Sequence, residues 1–123
     1  MKWDEFGAWG SKVASWAQAY HQTVGERPVR AQTKPGDVLN ALPLAPPEDP
    51  EALEDVFRDF EDIVMPGITH WQHPRFFAYF TSNAAPASVL AEFLTVALAP
   101  QCMLWQTSPC ATEMETRMMD WLR

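Results

Sequence analysis

The sequence has few of the features that would place a protein in a membrane, outside the cell or on a nucleic acid. No apolar run approaches the ~18 residues that span a bilayer, and residues 1–5 contain an acidic pair where a secretion signal has basic residues. The formal net charge is -7, from 9 basic and 16 acidic residues, whereas nucleic acids and anionic membranes are bound by clustered lysine and arginine. We therefore expect a soluble, cytoplasmic protein that binds neither nucleic acid nor membrane.

Residues that would mark a catalytic or metal site are also scarce. The two cysteines, Cys102 and Cys110, are too few for a disulfide framework or a four-ligand zinc site. The five glycines are scattered and form no phosphate-binding loop, and no serine has the flanking glycines of a hydrolase nucleophile. None of the three lysines, Lys2, Lys12 and Lys34, is expected in an apolar pocket suited to Schiff-base chemistry. The residues by themselves thus indicate no catalytic group.

Proline and tryptophan, by contrast, are abundant. The chain holds 11 prolines and 6 tryptophans, where a proline share of ~5% is usual. Prolines divide a chain into short helices and shaped loops, and large aromatic side chains carry much of the energy of burial and of interfaces. The composition and periodicity together predict a mainly α segment of about five helices with proline-rich and aromatic loops.

The first helix and the connector after it are defined by periodicity and proline. Apolar residues recur every three or four positions from Trp3 to Val24, which predicts an amphipathic helix that ends at Gly25. A proline-rich connector follows over residues 26–50, with one short helical turn after residues 35–37. The aromatic stripe of the first helix is wider than a short chain needs for its own core, so we expect it to pack against a partner.

The next helix has clear start and stop signals. Asp49 is a suitable N-cap and Pro50 suits the first helical position, while residues 66–67, a proline and a glycine, end the pattern. Glu54 and Arg58 are spaced four residues apart, which predicts an ion pair along the helix.

Two further helices are predicted in the last third of the chain. One follows Pro86 and ends at Pro100, and its single charge, Glu92, predicts that nearly all of its surface is buried. The other begins with Ser108 as N-cap and Pro109 at the first helical position.

The last helix has an apolar stripe that continues to the end of the sequence. Glu113 and Arg117 are predicted to pair across one helical turn. The apolar stripe consists of Ala111, Met114, Met118 and Leu122. Because no glycine, proline or polar tail follows, we expect these 123 residues to be the front part of a longer protein.

Residues 65–84 are the least regular stretch and the richest in aromatic side chains. They hold five aromatic residues and two histidines, His70 and His73, without a helical period, and residues 77–80 are long enough for a very short strand. Such rings either line a pocket or fill the core of their own domain, and the pattern leaves both alternatives open. The two histidines lack a third ligand nearby, so no metal site is expected.

Several long motifs in the chain resemble one known family. They lie at residues 65–71, 73–80, 103–109 and 111–115, and the last continues into residues 119–122. These motifs are similar to those of the pyridoxal-phosphate-dependent aromatic-L-amino-acid decarboxylases, also called group II decarboxylases. A weaker similarity extends back to the first helix, so that the resemblance covers essentially the whole chain.

The resemblance implies the N-terminal portion of a fold-type I enzyme, which is α/β at full length and an obligate homodimer. Residues 1–84 would form an N-terminal helical arm with a substrate-lining loop, and residues 85–123 the start of the large transferase-like domain. The cofactor would be pyridoxal 5′-phosphate. Its Schiff-base lysine and its other ligands would lie downstream, so this chain would hold no catalytic, cofactor-binding or metal-binding residue.

The same resemblance assigns substrate contacts to residues of the aromatic stretch. Trp71, Tyr79 and Phe80 would line the slot for the aromatic side chain of the substrate. Thr81 stands where the family usually has proline, and Ser82 aligns with a family threonine whose hydroxyl can meet a ring hydroxyl of the substrate.

A sixth contact would come from the other subunit of the homodimer. Met103 aligns with an apolar or aromatic residue that closes the partner's pocket, and a methionine makes that wall more adaptable.

The resemblance therefore implies a lyase that converts aromatic L-amino acids to arylalkylamines and carbon dioxide, with this chain inactive by itself. One alternative is an aromatic aldehyde synthase of the same family. Another is a non-catalytic helical module for dimerisation or interaction. The sequence leaves the preferred aromatic amino acid open.

Overall fold

The computed structural model describes residues 1–123 as five α-helices without a β-strand. The mainly α prediction is confirmed, including the number of helices. The helices are α1 Trp3–Thr23, α2 Asp37–Ala41, α3 Leu53–Asp59, α4 Pro86–Leu98 and α5 Pro109–Leu122. A π-helical turn, Phe60–Val64, and a 3-10 turn, Met65–Gly67, continue α3. No helix is both long and apolar enough to cross a membrane.

The chain divides into two compact units, Met1–Ser82 and Asn83–Arg123. The first unit holds α1, α2, α3 and the aromatic stretch, and the second holds α4 and α5. These units are defined by contacts within the chain, so the assignment of residues 1–84 as an arm and 85–123 as the start of a larger domain stays a prediction.

Within the first unit, the aromatic stripe of α1 packs on α3 and on the turn after it. The ring centroids of Trp9 and Phe57 lie 5.9 Å apart, and Trp16 meets Phe60 edge-on at 4.9 Å. Tyr20 stacks on Trp16 at 5.4 Å with an interplanar angle of 8°. Part of the stripe therefore packs within the chain, while its first residue, Trp3, remains 81% exposed; packing against a partner stays a prediction.

An ion pair joins the same two helices. The Lys12 ammonium donates to the Glu54 carboxylate at 2.7 Å and lies 4.4 Å from the ring centroid of Trp9. The predicted pair of Glu54 with Arg58 is therefore wrong, since Arg58 donates instead to Asp55 at 2.6 Å. A long-range partner was available to Glu54 only because the fold brings α1 beside α3.

The start of α3 also differs from the prediction at Asp49 and Pro50. The helix begins at Leu53, because the Ala52 carbonyl accepts the backbone N–H groups of Asp55 and Val56 and closes the first turn there. The acidic first turn matches the positive end of the helix dipole.

In the second unit, both predicted helix starts are confirmed. α4 begins at Pro86, and α5 begins at Pro109 with Ser108 as its N-cap residue. The prediction of a nearly buried α4 is wrong for this chain, because none of its residues is buried; Leu90, for example, is 63% exposed. Hydrophobicity indicates that a helix face needs cover, but it does not identify the part of a protein that covers it.

The predicted ion pair on α5 is replaced by two other contacts. The Trp105 indole N–H donates to Glu113 at 2.9 Å, and Arg117 lies 3.7 Å from Asp120. The methionine stripe of α5 is exposed, with Met114 at 62%.

The buried centre of the first unit lies where the end of α1 meets the residues that follow α3. Val24 and Met65 are its buried apolar residues, and His70 and His73 are buried beside them. The Tyr20 hydroxyl is hydrogen-bonded to Nδ1 of His70 at 2.9 Å, and the His70 backbone N–H donates to the Val29 carbonyl.

Burial changes the acidity of both partners of this bond. Burial of His70 lowers the pKa of its imidazole, and the nearby Arg27 and His73 lower that pKa further. Burial raises the pKa of the Tyr20 hydroxyl, and Arg27 opposes that rise. Both groups are therefore held in their neutral forms at neutral pH.

The lowered pKa of His70 predicts that acidification destabilises the fold. The unfolded imidazole takes up a proton near its ordinary pKa of 6.5, whereas the folded one does so only at lower pH. The free energy of unfolding should therefore fall as the pH drops from about 7.5 to about 5.5. Urea unfolding followed by tryptophan fluorescence measures it. His70→Gln should weaken this pH dependence, while the change of an exposed histidine, His21→Gln, should preserve it; equal pH dependence in both variants would contradict the assignment.

A pair of glycine substitutions tests the packing of α2 against the turn after α3. A Cβ on Gly67 would lie 2.9 Å from Cγ2 of Val38, so Gly67→Ala should destabilise the fold by about 1–3 kcal/mol. Gly10, inside α1, has nothing within 4 Å of such a Cβ, so Gly10→Ala should stabilise by about 0.5–1 kcal/mol through helix propensity. Unfolding free energies of the two variants should change in opposite directions, and a shift of the same sign in both would refute this packing.

Candidate functional site

Residues 70–82 form an irregular loop that begins at the buried centre of the first unit. The His73 backbone N–H donates to the His70 carbonyl at 3.0 Å, and the Phe76 N–H donates to the His73 carbonyl at 2.9 Å. Nδ1 of His73 accepts the backbone N–H of Arg75 at 2.9 Å. These bonds fold the start of the loop into two successive tight turns.

The strand predicted at residues 77–80 does not form. Tyr79 has a φ of 58°, in the left-handed region, which interrupts any extended run. No strand partner is present either, since the structure contains no β-strand.

The rings of the loop form a stack on the molecular surface. Trp71 lies between Phe76, at 4.9 Å and 27°, and Tyr79, at 5.7 Å and 13°. Trp71 is 46% exposed, Tyr79 86% and Phe80 102%. Within these 123 residues the rings do not form a core, because the buried residues of this stretch are the histidines rather than the rings.

The loop is closed near its far end by a side chain. The Gln72 amide donates from Nε2 to the backbone carbonyl of Ser82 at 2.6 Å. Ser82 and Thr81 are themselves exposed residues. Five of the six predicted contact residues thus belong to one loop. The sixth, Met103, lies in the other compact unit and is 73% exposed.

Three residues that shape the site gave no functional signal in the sequence. Tyr20 belongs to the apolar stripe of the first helix, and the periodicity of that stripe does not indicate that its hydroxyl bonds to His70. Gln72 and Phe76 lie within the motif region, but their contacts with Ser82 and Trp71 depend on how the loop turns back.

The chemistry available in this loop is that of aromatic contact and hydrogen bonding. Three stacked rings and two neighbouring hydroxyls suit a flat, partly polar ligand. No group of three or more potential metal ligands occurs in the structure. The first unit also contains a cavity of about 250 Å³, lined among others by Arg27, Met65 and His70, but none of the six predicted contact residues lines it.

Comparison with known proteins identifies relatives over nearly the whole chain. The conserved domain of pyridoxal-dependent decarboxylases matches residues 35–123. Phenylacetaldehyde synthase from a Rosa hybrid cultivar is 40% identical over 119 residues, which cover 97% of this chain and 23% of that protein. Aromatic-L-amino-acid decarboxylase from Rattus norvegicus is 40% identical over 118 residues, which cover 96% of this chain and 25% of that protein.

Solved structures of related enzymes also match nearly the whole chain. Tryptophan decarboxylase from Catharanthus roseus, in complex with L-tryptophan, has a TM-score of 0.93 and 33% identity over 99% of this chain and 26% of that one. For 4-hydroxyphenylacetaldehyde synthase from Rhodiola rosea, the TM-score is 0.92 and the identity 35%, with the same coverage. The chain thus spans about a quarter of the length of these relatives.

The resemblance seen in the motifs is therefore confirmed, as is the expected fold, an N-terminal segment of a fold-type I enzyme. From the extent of the domain match and the agreement of the structures, the chain belongs to the family of pyridoxal-dependent decarboxylases.

Proposed function

We propose that this chain supplies the substrate-contact loop and the dimer arm of a decarboxylase that converts aromatic L-amino acids to arylalkylamines and carbon dioxide. The relatives support an aromatic substrate, since they include a tyrosine decarboxylase from Narcissus pseudonarcissus and the rat aromatic-L-amino-acid decarboxylase. By itself the chain is inactive.

The observation that carries this proposal is the exposed ring stack of the loop. Trp71 and Tyr79 lie nearly parallel, at 13°, and remain 46% and 86% exposed. Contacts between aromatic rings contribute about 0.5–1.5 kcal/mol beyond the burial of area. A substrate ring that enters here therefore finds an ordered aromatic wall.

Each loop residue has a distinct role in the proposal. Trp71, Tyr79 and Phe80 line the slot for the aromatic side chain. The hydroxyl of Ser82, an exposed residue, bonds a ring hydroxyl of the substrate. Thr81 stands beside it, where the family usually has the more rigid proline.

The homodimer completes the slot. In the proposal, Met103 reaches the pocket of the partner subunit and α1 wraps over that subunit. High exposure of Met103, at 73%, and of Trp3, at 81%, supports contacts outside this chain.

The cofactor of the family is pyridoxal phosphate, and the residues of this chain do not form its site. Lys12 is paired with Glu54, and Lys2 and Lys34 are exposed residues outside the aromatic loop. When bound, the cofactor would accept the electron pair that the broken carbon–carbon bond leaves on the substrate as carbon dioxide departs.

The loop itself contributes orientation. A side chain that packs against these rings loses its freedom to rotate, and the bond to the departing carboxylate is then fixed in direction. Interactions remote from the reacting atoms thereby contribute to the rate at the reacting centre. The rings also exclude water from the face of the substrate that they cover.

A second candidate function is aldehyde synthesis on the same scaffold. It is favoured by two relatives, the rose phenylacetaldehyde synthase and the Rhodiola rosea 4-hydroxyphenylacetaldehyde synthase.

Product analysis decides between decarboxylation and aldehyde synthesis. A complete enzyme that carries this chain as its N-terminal quarter should release an arylalkylamine. Release of an aldehyde would favour the second candidate, and no product from any aromatic amino acid would favour a non-catalytic interaction module.

Removal of a slot ring should weaken the use of aromatic amino acids. Trp71→Ala or Tyr79→Ala should lower the specificity constant about 5- to 150-fold in a complete enzyme, since about 1–3 kcal/mol of ring burial is lost. Cofactor affinity should stay unchanged, and Tyr79→Phe, which keeps the ring, should retain most of the activity. A collapse of cofactor affinity in Trp71→Ala would instead assign the ring to the fold or to the dimer.

Ser82→Ala should act on ring-hydroxylated substrates. The specificity constant for tyrosine should fall about 5- to 10-fold, while that for phenylalanine should change little, because only tyrosine offers a ring hydroxyl. Ser82→Thr keeps the hydroxyl and should behave like the native enzyme. Equal losses on phenylalanine, tyrosine and tryptophan would remove this role.

A further inference from the structure

We propose that Gln72 is a positioning residue, which closes the loop over residues 72–82 and thereby fixes Tyr79 and Ser82 for the substrate. The inference rests on the proposed function of these two residues. Gln72 has no part in the resemblance-based assignment of the site, and its role follows from the hydrogen bond to the Ser82 carbonyl.

The near end of the loop is fixed by buried contacts. His70 is 5% exposed and bonded through its ring to Tyr20 and through its backbone to Val29. His73 is 3% exposed, and its ring accepts a backbone N–H of the following turn. Gln72 lies between these two anchors, so its backbone position is set by the core of the first unit.

The far end of the loop has little burial of its own. Phe77, Tyr79 and Phe80 are 90%, 86% and 102% exposed, so hydrophobic contact within the unit does not hold them. Trp71 contacts Tyr79 by stacking, but a stack fixes a ring without fixing the backbone beyond it. The amide of Gln72, at 2.6 Å from the Ser82 carbonyl, ties that backbone to the anchored end.

The backbone of Tyr79 explains why such a tie is needed. A φ of 58° is unfavourable for a residue with a Cβ, so a free loop would relax toward extended backbone. Strained backbone persists where surrounding contacts over-determine it, and it concentrates at ligand sites. The hydrogen bond between Gln72 and Ser82 holds the two ends of the loop close together. The loop backbone must then turn, and the turn at Tyr79 places its ring against Trp71.

Replacement of the amide by a carboxylate tests the tie with minimal change of shape. Gln72→Glu keeps the length of the side chain and an acceptor oxygen, but it removes the N–H donor to the Ser82 carbonyl. Gln72→Arg restores a donor, because Nε of arginine is the fourth atom of the side chain, as Nε2 of glutamine is. The matched control is Gln32→Glu, since the Gln32 amide also donates to a backbone carbonyl, that of Arg30, at 2.8 Å.

The first measurement is proteolysis of the chain and does not depend on any activity. Chymotrypsin cleavage after Phe77, Tyr79 and Phe80, mapped by mass spectrometry, reports how often the loop opens. Gln72→Glu should speed these cleavages about 5- to 10-fold, on the scale of one lost hydrogen bond, while Gln32→Glu and Gln72→Arg should cleave like the native chain. Unchanged cleavage in Gln72→Glu would overturn the proposed closure.

The second measurement is steady-state kinetics in a complete enzyme that carries this chain. Loss of positioning should raise KM for tyrosine and phenylalanine about 5- to 10-fold with little change in kcat, whereas a partly unfolded enzyme would lose kcat at constant KM. Gln72→Arg should restore KM. Faster cleavage with an unchanged KM would overturn the positioning role. If Tyr79→Ala also left KM unchanged, the proposed function of the loop would fail as well, so the two failures are distinguishable.

Discussion

The hydrogen bond between Tyr20 and His70 is the contact on which the first unit depends. It joins the end of α1 to the residue directly before Trp71, and it links the half-buried Tyr20 to the buried His70. A buried polar group without a partner is costly, so the bond specifies the position of α1 relative to the loop more strictly than apolar contact would. The aromatic stripe of α1 then packs on α3 and holds this end in place.

The geometry of the aromatic loop depends on that contact. His70 and His73 are held in the core, and the segment after them must turn back over the surface. Three features accompany this reversal of the chain. They are the ring stack around Trp71, the left-handed backbone at Tyr79 and the hydrogen bond from the Gln72 amide. A chain with only two buried apolar residues in its core thereby presents an ordered aromatic surface.

The exposed apolar surface of the chain is consistent with its share of the family fold. α4 and α5 bury no residue within these 123 residues, and the chain spans about a quarter of the length of its relatives. In the proposed enzyme, the rest of the subunit and the partner subunit cover such surfaces. In the same proposal, the rings that orient a substrate belong to this chain, and the groups that hold the cofactor belong to the rest of the enzyme.

The sequence by itself determined the helices, the family and the candidate residues of the loop. Proline positions and N-cap residues are local signals, so the starts of α4 and α5 were predicted correctly, whereas α3 begins three residues later than the best N-cap suggested. The long motifs around Trp71 combine rare residue types at fixed spacing, and they are specific enough to indicate the family on their own.

Only the tertiary structure decided the long-range contacts. Glu54 pairs with Lys12 rather than with Arg58, and Gln72 reaches Ser82 across an irregular loop. Periodicity reports which face of an element is apolar, but a polar side chain chooses its partner by distance in the folded chain. The packing of α1, α3 and the loop sets that distance, and no local pattern of residues predicts it.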